Sequence, residues 1–262
     1  MTTAVRPPVG QLLRSWRQRR RLSQLDLASE AGVSTRHLSF VENGRSRPSR
    51  EMLLHLAEQL EVPLRERNEL LLAAGFAPAY GSRGLAHPDM AAVSRALDLV
   101  LGAYEPYPAL VVDRAWELVM ANAPVALLTA GTAAHLLEPP VNVLRLSLHP
   151  DGMAPRIANL PQWRGHVLHR LGREAQLTGD PALGALHREL TALPGGIDRS
   201  TPDGIIVPLR LRTDAGLLSF VSTVTTFGTA VDVTAAELSV EAFLPADAET
   251  ADALRAADGS AG

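Results

Sequence analysis

The sequence predicts an α+β chain in two parts: an all-α module of five helices at the N-terminus, then a domain in which helices are laid on an antiparallel sheet. Three observations predict it. Residues 23–43, SQLDLASEAGVSTRHLSFVEN, carry two helix caps and a glycine turn in one short stretch. Positive charge is confined to the same end, where the first fifty residues hold ten arginines against Asp26, Glu30 and Glu42, a net of +7, and the remainder of the chain carries −10. Further on, a hairpin signal, a proline-broken helical stretch and more strand signals follow one another, the order of a sheet covered by helices.

The N-terminal elements follow from caps and periodicity. Helices are expected over residues 9–20, 24–31, 35–42, 49–60 and 64–74. Ser23 can cap the second of these, with Asp26 three residues on to complete a capping box, and Leu25, Leu27 and Ala28 supply apolar contacts. Gly32 ends that helix because a tight turn needs a residue that tolerates positive φ, and Val33 plugs the crevice behind it. Ser34 caps the third helix. At about 100° per residue, Leu38 and Val41 lie on one side of it, and Arg36, Ser39, Phe40 and Asn43 lie opposite.

Two helices joined by such a turn, with one face left polar on a cationic module, fit a DNA groove. The chain has no lysine, so its use of arginine reflects coding bias and not a choice for bidentate contacts. The strings S-Q-x-x-L-A, A-G-V-S and V-E-N-G-R-x-R-P-S, at residues 23–28, 31–34 and 41–49, resemble the Cro/C1-type (xenobiotic-response-element, XRE) helix-turn-helix family. The resemblance covers residues 11 to about 78 and implies a lambda-repressor-like five-helix fold. It places Thr35, Arg36 and Phe40 at base-contacting positions, with Ser39 assisting, and Gln24, Asn43, Arg45 and Arg47 at phosphate-contacting ones. Arg36 has the donors for guanine O6 and N7, and Phe40 the surface for a thymine methyl. Phe40 departs from the polar residue often found there, and a core or dimer contact is its other reading. His37 reads as a half-buried helix residue or a phosphate contact. A homodimer is expected, since one such module reads few base pairs and a pair sets half-sites about one turn apart.

Composition bounds the remainder. At 262 residues and 46% hydrophobic, the chain has enough apolar material for two cores. No run approaches eighteen apolar residues and the N-terminus lacks a signal-peptide core, so a cytoplasmic protein without membrane contact is expected. The absence of cysteine excludes disulfides, thiol catalysis and cysteine-ligated metal sites. His166 and His169 stand three apart, but no third ligand has a recognised spacing, and no metal or cofactor is expected. With no G-x-S-x-G elbow and no glycine-rich phosphate loop, an enzyme is not expected either.

The second part opens after a Pro-, Gly- and Ser-rich stretch, residues 79–88, that reads as a linker. A helix is expected over residues 89–103. Residues 109–113 and 116–122 read as a hairpin turning at Arg114 and Ala115. Helical pieces fill residues 124–193, and strands return at 205–212, 217–227 and 237–244, the first two joined by a hairpin loop at 213–216. The domain is expected to span 89–248, leaving 1–78 to the first module and 249–262 to a frayed tail.

The stretches VNVLRLSLHPDG (residues 141–152), NLPQWRGHVL (159–168) and STVTTFGTAVDVTAAELSVEAFLPAD (222–247) are similar to the ligand-binding domain of MmyB-like transcription regulators, and the order of elements resembles a PAS-like sensor. The resemblance implies a PAS-like antiparallel sheet with helices that holds a small, largely apolar, fatty-acid-like ligand. From the residues themselves, helical spacing puts Asn142, Arg145 and His149 on one face at i, i+3 and i+7, able to bind a carboxylate or hydroxyl at the mouth of an apolar pocket. Bridging between helices and capping of backbone groups is the other reading of these three. Trp163 reads as core or pocket wall. The chain is thus expected to be a bacterial, DNA-binding transcription regulator whose second domain senses an apolar metabolite and alters affinity for a double-stranded operator. The other reading makes that domain a dimerisation module alone. An enclosed apolar cavity with a few convergent polar groups separates the two.

Overall fold

A computed structural model describes residues 7–198 and 206–259. In chain order the helices and strands are α1 Val9–Arg19, α2 Gln24–Glu30, α3 Thr35–Glu42, α4 Arg50–Gln59, α5 Leu64–Ala73, α6 Ala91–Ala103, β1 Ala109–Val112, β2 Leu118–Ala121, α7 Val125–Thr129, α8 Val143–Leu148, α9 Leu160–Thr178, α10 Pro181–Ala192, β3 Leu209–Thr213, β4 Gly216–Thr226, α11 Val233–Ala236, β5 Ser239–Pro245 and α12 Ala248–Gly259. They fall into two compact units: residues 7–83 with 229–236, and residues 84–228 with 237–259.

In the first unit the five helices end within one residue of where caps and periodicity place them. Ser23 and Asp26 form the capping box, with Asp26 N donating to Ser23 Oγ at 3.1 Å and Ser23 N to Asp26 Oδ2 at 2.8 Å. Ser34 Oγ accepts from His37 N at 3.2 Å, and Gly32 takes φ +63° in the turn between α2 and α3. Leu13, Trp16, Leu27, Leu38, Val41 and Leu56 form the centre of the core. Leu25 does not join it. It is 67% exposed, because it lies about 200° around α2 from Leu27, whose side faces inward. A Cβ on Gly10 would sit 2.5 Å from the Glu42 carbonyl oxygen and closer still to that of Val41. Only glycine therefore lets α1 approach the end of α3 so closely.

Residues 79 and 80, within the stretch expected to link the two parts, are held by the Asn68 amide. It accepts from Ala79 N at 2.9 Å and Tyr80 N at 3.1 Å and donates to Tyr80 O at 2.8 Å. Segment 229–236 completes this unit. Val233 is buried, its N–H donates to Gly81 O at 2.7 Å, and Arg83 Nη1 donates to Asp232 Oδ2 at 3.1 Å.

The second unit is built on one five-stranded sheet in the order β2-β1-β5-β4-β3, antiparallel throughout. This is the PAS-like arrangement expected, a hairpin and a helical insert followed by antiparallel strands. Side chains alternate between two covered faces. Leu110, Leu209, Phe220 and Phe243 point to the core shared with α7, α8, α9 and α10. Ala109, Val111, Val240 and Ala242 point to a smaller core with Leu97 and Leu101 of α6.

Three details differ from the sequence reading. The strand expected from residue 116 starts at Leu118, because Asp113 Oδ1 accepts from Ala115 N and Glu117 N at 2.8 and 2.9 Å and winds the connection into a loop. Trp116, at φ +63°, leaves the strand line and enters the core. The strand expected over 205–212 begins at Leu209, and residue 205 lies outside the described residues. The stretch expected to fray is helical as α12, since Asp247 Oδ1 caps it through Thr250 N at 2.8 Å and Ala251 and Leu254, one turn apart, are buried. Residues 260–262 of that stretch lie outside the described residues.

Candidate nucleic-acid interface and apolar cavity

The exposed side of α3 follows from its caps and its apolar side. Leu38 and Val41 are buried, which turns Arg36, Ser39 and Phe40 outward with Thr35 at the N-terminal end. Arg36 is exposed, its guanidinium carbon 5.4 Å from the centre of the half-buried Phe40 ring. That contact spreads a cation over an apolar face. Asn43, past the end of α3, donates to Ser39 Oγ at 3.3 Å. Arg45 and Arg47 stand exposed on the following loop, and Arg45 N donates to Phe40 O at 2.8 Å, which fixes the loop against the helix.

A buried charge network beneath this face escapes the sequence reading. Arg17 donates to Glu42 through Nε at 2.7 Å and Nη2 at 2.8 Å, while its Nη1 bonds Leu22 O at 2.8 Å. Gln24 Nε2 adds a third bond to Glu42, at 2.8 Å to Oε2. Gln24, expected to face a phosphate, therefore has its amide nitrogen committed to positioning α3. Burial alone would push the Glu42 carboxyl up, but the bonds from Arg17 and Gln24 and the charge of Arg17 outweigh it and hold it below the ordinary carboxylate range.

Between the sheet and α7 to α9 of the second unit lies a cavity of about 60 Å³, several times the roughly 10–15 Å³ that one water needs. Its walls are mostly apolar, with Leu110 and Phe243 from the sheet, Leu128 from α7, Leu146 from α8 and Trp163 and Val167 from α9 among them. Polar groups gather on part of the wall. Arg170 Nη1 donates to Glu241 Oε1 at 2.9 Å, and the Arg170 guanidinium carbon lies 4.4 Å from the centre of the Trp116 ring. Trp116 Nε1 in turn donates to Glu174 Oε2 at 3.0 Å. Trp163 Nε1 donates to Ser147 Oγ at 3.0 Å. Burial pushes the Glu241 carboxyl up, against the pull of Arg170, and does the same to Glu174 against its Trp116 bond and Arg170. Burial, with Arg170 and His169 nearby, pushes His166 down, so its ring is neutral near pH 7.

Of the four residues expected to hold a ligand, Trp163 lies in the cavity wall. Asn142, Arg145 and His149 are placed elsewhere, and not on one helical face. Helix α8 is only Val143–Leu148, so Asn142 is its N-cap and His149, at φ −73° and ψ 142°, lies beyond its end. Asn142 Oδ1 accepts from Arg145 N at 3.0 Å, and its Nδ2 donates to Ala115 O at 2.8 Å. Arg145 makes a two-pronged pair with Glu189 of α10, at 2.6 and 2.9 Å. His149 Nδ1 accepts from Asp151 N at 3.0 Å, and its ring meets that of His135 edge-on. The cavity's polar residues His166, Arg170 and Glu241 were missed. A signal for one was present: a lone glutamate inside the apolar run SVEAFL marks a charge that the sheet must bury.

A family model for the MmyB-like transcription regulator ligand binding domain matches residues 93–257, and a helix-turn-helix family model matches residues 13–67. Among curated proteins no sequence matches this chain.

Proposed function

The chain belongs to the MmyB-like transcription regulators, and on that premise we propose that it is a cytoplasmic homodimer that binds a double-stranded operator through residues 1–78 and senses a small, largely apolar, fatty-acid-like metabolite through residues 89–248. Binding of the metabolite changes operator affinity. Thr35, Arg36, Ser39 and Phe40 read bases, and Asn43, Arg45 and Arg47, with the second N–H of the Gln24 amide, hold phosphates. One observation carries the sensing half of this reading: an apolar cavity with a buried charge pair in its wall. A domain that only dimerises needs neither.

Two measurements test the reading. Native mass spectrometry of the purified chain should find a small apolar molecule that leaves on unfolding, and adding that molecule back should move operator affinity by about 5–150-fold, the usual range of coupling. Arg36→Ala should cost about 1–3 kcal/mol on the operator and relax one base position, whereas Arg45→Ala should weaken all sequences alike and lower the salt slope by about one. Equal loss on operator and random DNA for Arg36→Ala removes it from base reading. Operator affinity indifferent to every molecule that the cavity binds refutes the sensor.

A further inference from the structure

Among the described residues, one group of three metal-type side chains has its ligand atoms within 4.8 Å of one another: His135, His149 and Asp151, in the second unit. None of the three lines the cavity. The pair that spacing along the chain brings forward, His166 and His169, has no third ligand-type side chain within that reach among the described residues.

The geometry of the group is that of two imidazoles around one carboxylate. His135 Nε2 lies 3.9 Å and His149 Nδ1 3.8 Å from the same oxygen, Asp151 Oδ2, and the rings meet edge-on with centres 5.9 Å apart. Asp151 N donates to His149 Nδ1 at 3.0 Å, so a lone pair, and not an N–H, stands beside the carboxylate. Electron-pair donors this close, with no proton on Nδ1 to share, are what a cation joins. The backbone N–H is exposed and passes to water when a metal takes the lone pair. Zinc holds nitrogen and oxygen ligands at about 2.0–2.2 Å in a tetrahedron, which spaces them roughly 3.3–3.6 Å apart. Small side-chain rotations close the group to that spacing, since His135 and Asp151 are exposed.

The backbone beneath is already fixed. Pro150 separates His149 from Asp151, Gly152 N donates to His149 O at 2.9 Å, and Ala133 N donates to Asp151 O at 2.9 Å. The last bond ties the turn that carries His135 to the loop that carries the other two. A Cβ on Gly152 would overlap Leu146 O, so only glycine lets that loop fold back onto α8. His135 sits on the 3-10 turn Ala134–Leu136, whose Leu136 packs with Val141 and Leu146.

We propose that His135, His149 and Asp151 bind a divalent transition-metal ion, with zinc the best match to two imidazoles and one carboxylate, and that water fills the fourth position. The site joins the connection between α7 and α8 to the loop beyond α8, and so braces two helices of the cavity wall. It does not rest on the sensor reading, and either can fail alone.

The test uses the full chain without a histidine tag, freed of metal by chelator and dialysed. Titrated with Co²⁺ it should develop visible absorption that saturates at one equivalent and is abolished by Zn²⁺, and Zn²⁺ should raise the melting temperature. Mg²⁺ and Ca²⁺, which prefer oxygen ligands, should do neither. His135→Ala and Asp151→Asn, both at exposed positions, should each weaken Co²⁺ and Zn²⁺ by about a hundredfold or more, at least the roughly 10–100-fold lost when only a partner of a ligand is removed. His169→Ala should change nothing. The proposal is overturned if one equivalent of Zn²⁺ does not bind below about 1 mM, if Ca²⁺ competes as well as Zn²⁺, or if binding survives both ligand variants.

Discussion

Glu42→Gln probes the network that fixes the recognition helix, because it removes one charge and almost no volume. In the native unit the Glu42 carboxylate accepts three bonds, two from Arg17 and one from Gln24, all between 2.7 and 2.8 Å. Both partners are buried, Arg17 at 8% and Glu42 at 5% exposure. A glutamine has one acceptor oxygen and turns an NH2 group toward donors, so at least one charge-assisted bond is lost, about 1.5–3 kcal/mol. The guanidinium is then buried without its counter-charge, and breaking such a pair costs about 3–5 kcal/mol in total. That is a large share of the roughly 5–15 kcal/mol that holds a domain together. Native-state hydrogen exchange of the Leu13 and Val41 amides, in α1 and α3, reads this cost locally. Their exchange should accelerate by about two to four orders of magnitude, since each 1.4 kcal/mol is tenfold. The double variant Arg17→Met, Glu42→Leu should recover most of the loss, because a packed apolar pair replaces a buried ionic one at little cost. A change below about 1 kcal/mol for Glu42→Gln refutes the reasoning. The pH dependence adds a sign: a carboxyl held below its unfolded value stabilises the fold above the ordinary carboxylate pKa and loses that contribution as pH falls through its lowered value. This part of the acid sensitivity should be absent from Glu42→Gln.

Gly10→Ala should destabilise the first unit by at least about 2 kcal/mol, because the new Cβ meets the backbone carbonyls of Val41 and Glu42 and neither can swing away; a urea midpoint equal to that of the wild type counts against the close approach. Glu174 titrates in the opposite sense to Glu42. Burial raises its pKa, so its contribution is intact below the unfolded value of about 4.3 and is lost as pH rises through the raised folded value. Glu174→Gln keeps an acceptor for Trp116 Nε1 and should flatten the decline in protection of the β1 and β5 amides as pH rises above the ordinary carboxylate range; an unchanged slope refutes the assignment. Arg145→Ala breaks only a part-exposed pair with Glu189 and should cost no more than about 1 kcal/mol. It should leave the operator response to ligand unchanged, and loss of that response would restore Arg145 to the ligand site.

What the sequence made legible depended on range. The caps at Ser23 and Ser34, the turn at Gly32 and the apolar side of α3 act within four residues of themselves, and each stands where expected. Gly10 and the Arg17–Glu42 pair act across the core, and their partners, 31 or more and 25 residues away, leave no periodic trace. The strands were legible as short β-prone runs, while the start of β2 was not, because one side chain, Asp113, rewinds the loop before it.

The ligand residues show the same limit more sharply. Asn142, Arg145 and His149 looked like a binding face only on a helix long enough to carry i and i+7, and α8 has six residues. Its ends are fixed by an asparagine cap and by Pro150, which disfavours helix at the residue before it. Arg145 satisfies its donors on Glu189, 44 residues downstream on another helix, which spacing along the chain does not reveal. The cavity's own polar groups come from two distant elements, Arg170 on α9 and Glu241 on β5, and each alone reads as an ordinary charge. Glu241 differs in one respect: on a strand whose neighbours Val240 and Ala242 face one core and Phe243 the other, a carboxylate at its register has no route to solvent and must find a partner inside. That argument selects the buried charge from the pattern of its strand. The partner, and with it the chemistry of the cavity, comes only from the fold that brings α9 across the sheet.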